Sequence, residues 1–176
     1  MADPIPDPLP LRLLDSVTQG LNVLGSALIL VLMVLFGLDV GGRVLFNSPV
    51  SGVPEMVTLS IVAIVFLQIP AALRQGRMTR SEGFLGMLSA RAPAAARLLE
   101  TLFDLIGIAV LWIIVRNTWP IFTRAWERGE FIGAVGDFTA PVWPVKLTLI
   151  VGGAVLILQF AARIWRRHWL SGRNGQ

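Results

Sequence analysis

Four long apolar segments, with the charged residues gathered between them, fill most of this chain of 176 residues. Hydrophobic residues make up 55% of the sequence and charged residues 15%, whereas a soluble domain usually carries about 25% charged residues. Lipid admits only helices and closed barrels, and the continuous apolar runs lack the two-residue alternation of barrel strands. The sequence therefore predicts an all-α integral membrane protein with four transmembrane helices in two hairpins.

A bilayer core about 30 Å thick requires roughly 20 helical residues. The predicted helices cover about residues 17–41, 53–74, 97–119 and 144–166. They form one membrane domain over residues 13–170, followed by a flexible polar tail at 171–176. Residues 1–12 are acidic and rich in proline, so we expect a disordered leader there and not a cleaved signal peptide.

The basic residues predict the orientation of the chain. Four spans place both termini on one side, which holds ten arginines: Arg12, Arg74, Arg77, Arg80, Arg91, Arg97, Arg163, Arg166, Arg167 and Arg173. The other side holds five basic residues: Arg43, Arg116, Arg124, Arg128 and Lys146. The positive-inside rule then predicts that both termini are cytoplasmic. Tryptophans expected at the membrane interfaces are Trp119, Trp143, Trp165 and Trp169.

Two connecting segments permit alternative interpretations. Residues 80–92 carry an apolar edge between arginines, which fits either a short amphipathic helix on the membrane surface or a basic loop. The link from Pro120 to Val142 contains several glycines, which disfavour a long helix. It is either a docking loop for an external partner or a solvated cap. Gly37 and Gly41 have the spacing that permits close helix contact, although this pattern is common in apolar helices.

The chain offers few side chains for catalysis or cofactor binding. It has no cysteine, and its single histidine, His168, lies in a basic tail. We therefore expect no enzymatic activity, no metal or haem site and no nucleic-acid binding. Glu100 and Asp104 are four residues apart on one helix face, which favours an ion-pair network near the end of the span over a proton site. Asp39 and Arg43 have the same spacing, which predicts a local ion pair.

Several short motifs occur in a recognisable order. The first helix ends in Arg43-Val-Leu-Phe-Asn47, and Glu55 stands at the head of the second helix. That helix ends in Ala71-Ala-Leu-Arg74-Gln-Gly76. Pro141-Val-Trp143-Pro leads into a fourth helix that contains Gly152 and Gln159. Together these motifs resemble the small membrane subunit of tripartite ATP-independent periplasmic (TRAP) transporters, the DctQ-like family.

The chain departs from the family pattern at two places. Many members have a second acidic residue where this chain has Pro54, and many have a histidine-to-aspartate run where it has Arg77-Met-Thr-Arg80-Ser81. Roles of those missing side chains are therefore not transferred.

The resemblance implies a bacterial inner-membrane scaffold, or stator, subunit without a cofactor. Its implied partners are the lipid bilayer, a large elevator-type membrane subunit (the M component) and a periplasmic solute-binding protein (the P component) for an organic acid or related polar solute. The segments around Arg43–Glu55 and Phe131–Trp143 are predicted to help dock the binding protein. The alternatives are an autonomous small transporter that uses Glu100 or Asp104, and a membrane anchor subunit of another complex.

Overall fold

Four long helices dominate the computed structural model, which describes residues 9–76 and 93–173, with side chains described for 9–76 and 94–167. In chain order the elements are α1 (Leu9–Phe46), α2 (Val53–Arg74), α3 (Pro93–Arg128), β1 (Phe131–Ala134), β2 (Phe138–Pro141) and α4 (Trp143–Arg173). All four helices are long and apolar enough to cross a membrane. The prediction of an all-α membrane protein with four spans is confirmed.

The helices form a row in which each middle helix packs mainly against two neighbours. The main contacts join α1 to α2, α2 to α4 and α4 to α3, and a smaller contact joins α1 to α4. The edge helices α1 and α3 are therefore the least covered: 11% and 6% of their apolar spans are buried, compared with 28% for α2 and 39% for α4. Both edges leave apolar surface for lipid or for another protein.

Glycine allows the two middle helices to approach closely. Pro70 lies inside α2, and because proline has no N–H, the carbonyl of Phe66 loses its usual donor within the helix. The buried Gly152 of α4 lies directly against that carbonyl group. Gly25 of α1 similarly faces the side chain of Gln68 on α2. Small residues therefore set the spacing between α1, α2 and α4, as expected where lipid removes the hydrophobic drive for helix association.

The third helix differs from the sequence expectation at its end. It continues through Pro120 to Arg128, and an antiparallel β-hairpin of β1 and β2 follows, pairing Phe131 with Pro141. The glycines that disfavour a long helix lie beyond the end of α3, at positive φ: 59° for Gly129, 113° for Gly133 and 97° for Gly136. They shape the hairpin and do not interrupt the helix.

Arg116 lies deeper than the sequence suggests. The sequence places it near the end of the third span, but its neighbour Val115 contacts Gly153, where an added Cβ would lie 2.7 Å from Val115 Cγ2. Gly153 is close to the middle of the uncharged part of α4, between Lys146 and Arg163. The register of α3 against α4 therefore moves Arg116 from the edge of the membrane toward its middle.

The remaining expectations concern either the ends of helices or residues that the structure does not describe. Helix α1 already begins at Leu9, within the proposed leader, and α4 extends to Arg173. The proposed surface helix at 80–92 and the side chains of His168 and Trp169 lie outside the described part.

Candidate functional site

Ion pairs and hydrogen bonds join the helices at two levels of the molecule. We call the end of the row that contains Arg163, Arg166 and Arg167 of α4 the arginine end, and the opposite end, with β1 and β2, the hairpin end. Two polar clusters lie at the arginine end and one polar cap lies at the hairpin end. Their geometry shows how the four helices are held together.

The first cluster, the Asp15 cluster, consists of Asp15, Thr18, Arg74, Gln159 and Arg166. The carboxylate of Asp15 accepts from Arg166 at 3.0 Å and lies 3.2 Å from Nε of Arg74. Gln159 Nε2 donates to Thr18 Oγ1 at 2.7 Å and to Asp15 at 3.3 Å. Thr18 is fully buried and Gln159 is 3% exposed. The carboxylate of Asp15 therefore links three helices. Each hydrogen bond or ion pair in the cluster lowers the free-energy cost of burying its polar groups.

The second cluster, the Asp104 cluster, joins α3 to α4 through Glu100, Thr101, Asp104, Arg163 and Arg167. Asp104 is only 1% exposed, and its carboxylate lies 3.0 Å from Arg167 and 3.8 Å from Arg163. Arg167 also contacts Glu100 at 3.0 Å and donates to Thr101 at 3.1 Å. The two acidic residues thus take part in the ion-pair network that their spacing favoured.

The polar cap at the hairpin end is built on the turn between α1 and α2. Asp39 accepts from Arg43 and from the backbone N–H of Val50, each at 2.9 Å, which confirms the predicted local pair. Ser51 donates to Asp137 of the hairpin at 2.6 Å. The ring of Phe138 packs on Gly52, whose φ of 82° and lack of a Cβ make room for it.

A salt bridge and an aromatic contact attach the hairpin to α3 and α4. Lys146 Nζ lies 2.7 Å from Glu130 Oε2, and this hydrogen bond holds the pKa of Glu130 below its ordinary value despite partial desolvation. Trp126 and Trp143 meet edge to face with centroids 4.7 Å apart. The two segments predicted to dock a partner, around Arg43–Glu55 and Phe131–Trp143, therefore form one continuous surface.

The residues singled out by the sequence motifs fall into three places. At the hairpin end, Arg43 pairs with Asp39, Asn47 adopts a φ of 51° in the turn, and Glu55 occupies the first turn of α2. Pro141 ends β2 and Trp143 begins α4 at the same end.

Gly152 lies between the two ends, at the α2–α4 contact. At the arginine end, Arg74 and Gln159 belong to the Asp15 cluster, and Gly76 follows α2 with a φ of 68°. Arg74, Gly152 and Gln159 thus join helices to one another, and the motif residues do not converge on a single pocket.

Tertiary structure adds residues that sequence patterns did not identify. Asp15 and Arg166 are 151 positions apart, and Thr18 and Gln159 are 141 apart. Neither pair has a spacing that could have signalled a contact. Trp165 is 62% exposed at the arginine end, whereas Trp119, 57% exposed, lies within one turn of the deep Arg116 and not at the end of the span. At Gly37 and Gly41 an added Cβ would meet nothing within 4 Å, so this pair makes no helix contact within the described chain.

An open groove of about 340 Å³ lies between α1 and α2. Three amide side chains, Asn22, Gln68 and Gln75, lie among its apolar walls, and its lining contains no charged residue. Among the described side chains of residues 9–76 and 94–167, no group of three or more potential metal-ligating residues occurs. The groove therefore supplies no ionisable group for coupling transport to a proton.

Fold and contacts together define a multi-pass membrane protein whose polar side chains hold its own helices in place. Residues 32–168 match the family described as tripartite ATP-independent periplasmic transporters, DctQ component. Because the match covers most of the chain, the protein belongs to this family of transporter components, which is not a family of enzymes. Comparisons with curated proteins and with solved structures gave no match.

Proposed function

We propose that this chain is the small scaffold subunit of a TRAP transporter and supports a large elevator-type subunit in the bacterial inner membrane. The observation that carries the proposal is the cross-linking of all four helices. The Asp15 and Asp104 clusters join them at one end, and the cap joins them at the other. A stator must resist the motion of the domain that carries the solute, and helices fastened at both ends meet that requirement. Membership of a tripartite transporter family supports the proposal that the chain works with two partner proteins, the large membrane subunit and the solute-binding protein.

The transported solute is proposed to be an organic acid or a related polar solute, bound by the partner chains. The test is transport into proteoliposomes that contain this chain, the large subunit and the solute-binding protein. Uptake is expected only when all three are present. Uptake by this chain alone would instead establish an autonomous transporter, and loss of that uptake in Glu100→Gln or Asp104→Asn would assign its ionisable group.

Both termini are proposed to be cytoplasmic, with the hairpin end in the periplasm. Removing the deep Arg116 from the count leaves ten basic residues on the side proposed to be cytoplasmic and four on the other, so the asymmetry increases. The chain has no cysteine, so single cysteines report topology without background. A cysteine at Val135, which is 83% exposed on the hairpin, is expected to react with an impermeant maleimide in intact spheroplasts. A cysteine at Ser16 is expected to react only after lysis.

The continuous surface of the cap is proposed to dock the solute-binding protein. The Arg43 side chain is 62% exposed there, and Arg124 and Arg128 are exposed near the hairpin. Reversing the charge at these three arginines is expected to lower uptake while the two membrane subunits still co-purify. Unchanged uptake in the triple variant would refute this docking surface.

A further inference from the structure

Arg116 is a cation at mid-depth of the membrane on an edge helix. It lies twelve residues beyond Asp104 and eight before Arg124, or roughly 18 Å and 12 Å along α3. Its neighbour Val115 contacts Gly153, near the centre of the uncharged part of α4. A bilayer core about 30 Å thick, centred on the uncharged part of α4, therefore extends beyond Arg116 toward both ends of the molecule.

Contacts of the adjoining helices fix this depth. Gly152 of α4 contacts Phe66, which lies in the middle third of α2. Two further contacts between α3 and α4 agree with this register. Gly107 meets Phe160 nearer the arginine end, and Trp126 meets Trp143 near the hairpin end. Moving α3 until Arg116 reached the interface would move α2 and α4 with it and take their apolar segments out of the lipid.

The Arg116 side chain points away from the row and has no partner within the described chain. It is exposed, and no side chain among residues 9–76 and 94–167 forms an ion pair or hydrogen bond with it. Its backbone carbonyl also loses the usual donor, because the residue four positions later is Pro120. The surrounding surface is bulky and apolar, with Trp112 59%, Ile113 57% and Trp119 57% exposed.

We infer that this surface of α3, which we call the Arg116 patch, docks a transmembrane helix that carries a carboxylate at mid-depth. The inference rests on the proposed function, since the partner is the large membrane subunit. A charged side chain in hydrocarbon is costly and normally faces a partner or a water-filled cavity, and a carboxylate is the complement of a guanidinium. The competing arrangement is a guanidinium that reaches toward the lipid phosphates.

The test compares co-purification of the large subunit with the wild-type chain, Arg116→Leu and Arg116→Lys, all expressed with their partners. Arg116→Leu is expected to recover about tenfold less large subunit or worse, because the partner carboxylate loses its counter-ion. Arg116→Lys keeps the charge and is expected to retain part of the complex. Arg12→Leu, which removes an exposed arginine from the opposite edge helix, is the matched control and is expected to leave recovery unchanged.

Misfolding would not imitate this result. Removing a charge from the apolar span favours membrane insertion, so Arg116→Leu is expected to accumulate at or above the wild-type level. Equal recovery with Arg116→Leu and the wild type would overturn the inference and indicate that the arginine reaches the lipid phosphates. Failure of the wild-type chain to recover any large subunit would instead overturn the proposed function.

A photoactivatable maleimide on Ile113→Cys provides a second readout in the cysteine-free chain. An adduct with the mass of this chain plus the large subunit would support the inference. An adduct of two copies of this chain would assign the patch to a homodimer and refute it. Adducts with lipid alone would refute it as well.

Discussion

Replacing Gly152 with alanine is expected to separate α2 from α4 at the middle of the row. An added Cβ would overlap the carbonyl oxygen of Phe66 and lie 2.8 Å from its carbonyl carbon and 3.1 Å from its Cβ. Carbon atoms pack comfortably at about 3.5–4.0 Å, so the helices must move apart by about 1 Å. The obstacle is backbone, which a rotamer change cannot relieve. Overpacking of this kind typically costs about 1–3 kcal/mol.

A matched control isolates this packing cost. Glycine to alanine also favours the helix by about 0.8–1.0 kcal/mol, which would partly hide the loss. Gly37→Ala makes the same chemical change in α1, where nothing lies within 4 Å of the new Cβ. The difference between the two variants therefore reports the contact of Gly152 with Phe66 alone.

Thermal unfolding in detergent, followed by tryptophan fluorescence, measures that difference. For a chain of this size about 1 kcal/mol corresponds to about 2–4 °C in Tm, so Gly152→Ala is expected to melt about 2–12 °C below Gly37→Ala. Gly152→Val should melt lower still, since its side chain extends further into α2. Equal melting temperatures for Gly152→Ala and Gly37→Ala would refute the account of how the two helices pack.

Three further predictions concern the ends of the molecule. Asp15→Ala removes the carboxylate that pairs with Arg74 and Arg166 in the Asp15 cluster, so the free energy of unfolding in detergent should fall by about 2–3 kcal/mol; an unchanged value would contradict the cluster's role. The lysine hydrogen bond lowers the folded pKa of Glu130 below the ordinary 4.5, so its stabilisation is complete above pH 4.5 and lost as the pH falls through the folded pKa. Tryptophan fluorescence at the hairpin end should show an acid transition that Glu130→Gln abolishes. Gly52→Ala should displace the hairpin by overlapping Phe138 and increase its proteolysis, whereas Gly136→Ala, also at positive φ but with open space around it, should do so much less.

The local features of the chain followed from its sequence because their causes are local. Runs of apolar residues that match the thickness of a bilayer produce helices that span it, whatever their partners. The Asp39–Arg43 pair depends only on a spacing of four residues within one helix. The ordered motifs from Arg43 to Gln159 resemble the DctQ family, and the family match confirms that relation.

Tertiary structure alone decided which helix faces meet and how deep each residue lies. In a membrane helix both the lipid-facing and the buried sides are apolar, so hydrophobic periodicity carries little information about neighbours. Asp15 therefore gave no signal of Arg166, although the two are 3.0 Å apart. Arg116 resembled a residue at the end of a span until the contact of Val115 with Gly153 set the register of α3. Sequence determined the number of the spans, whereas the packing of glycines and carbonyl groups determined their depth and their order in the row.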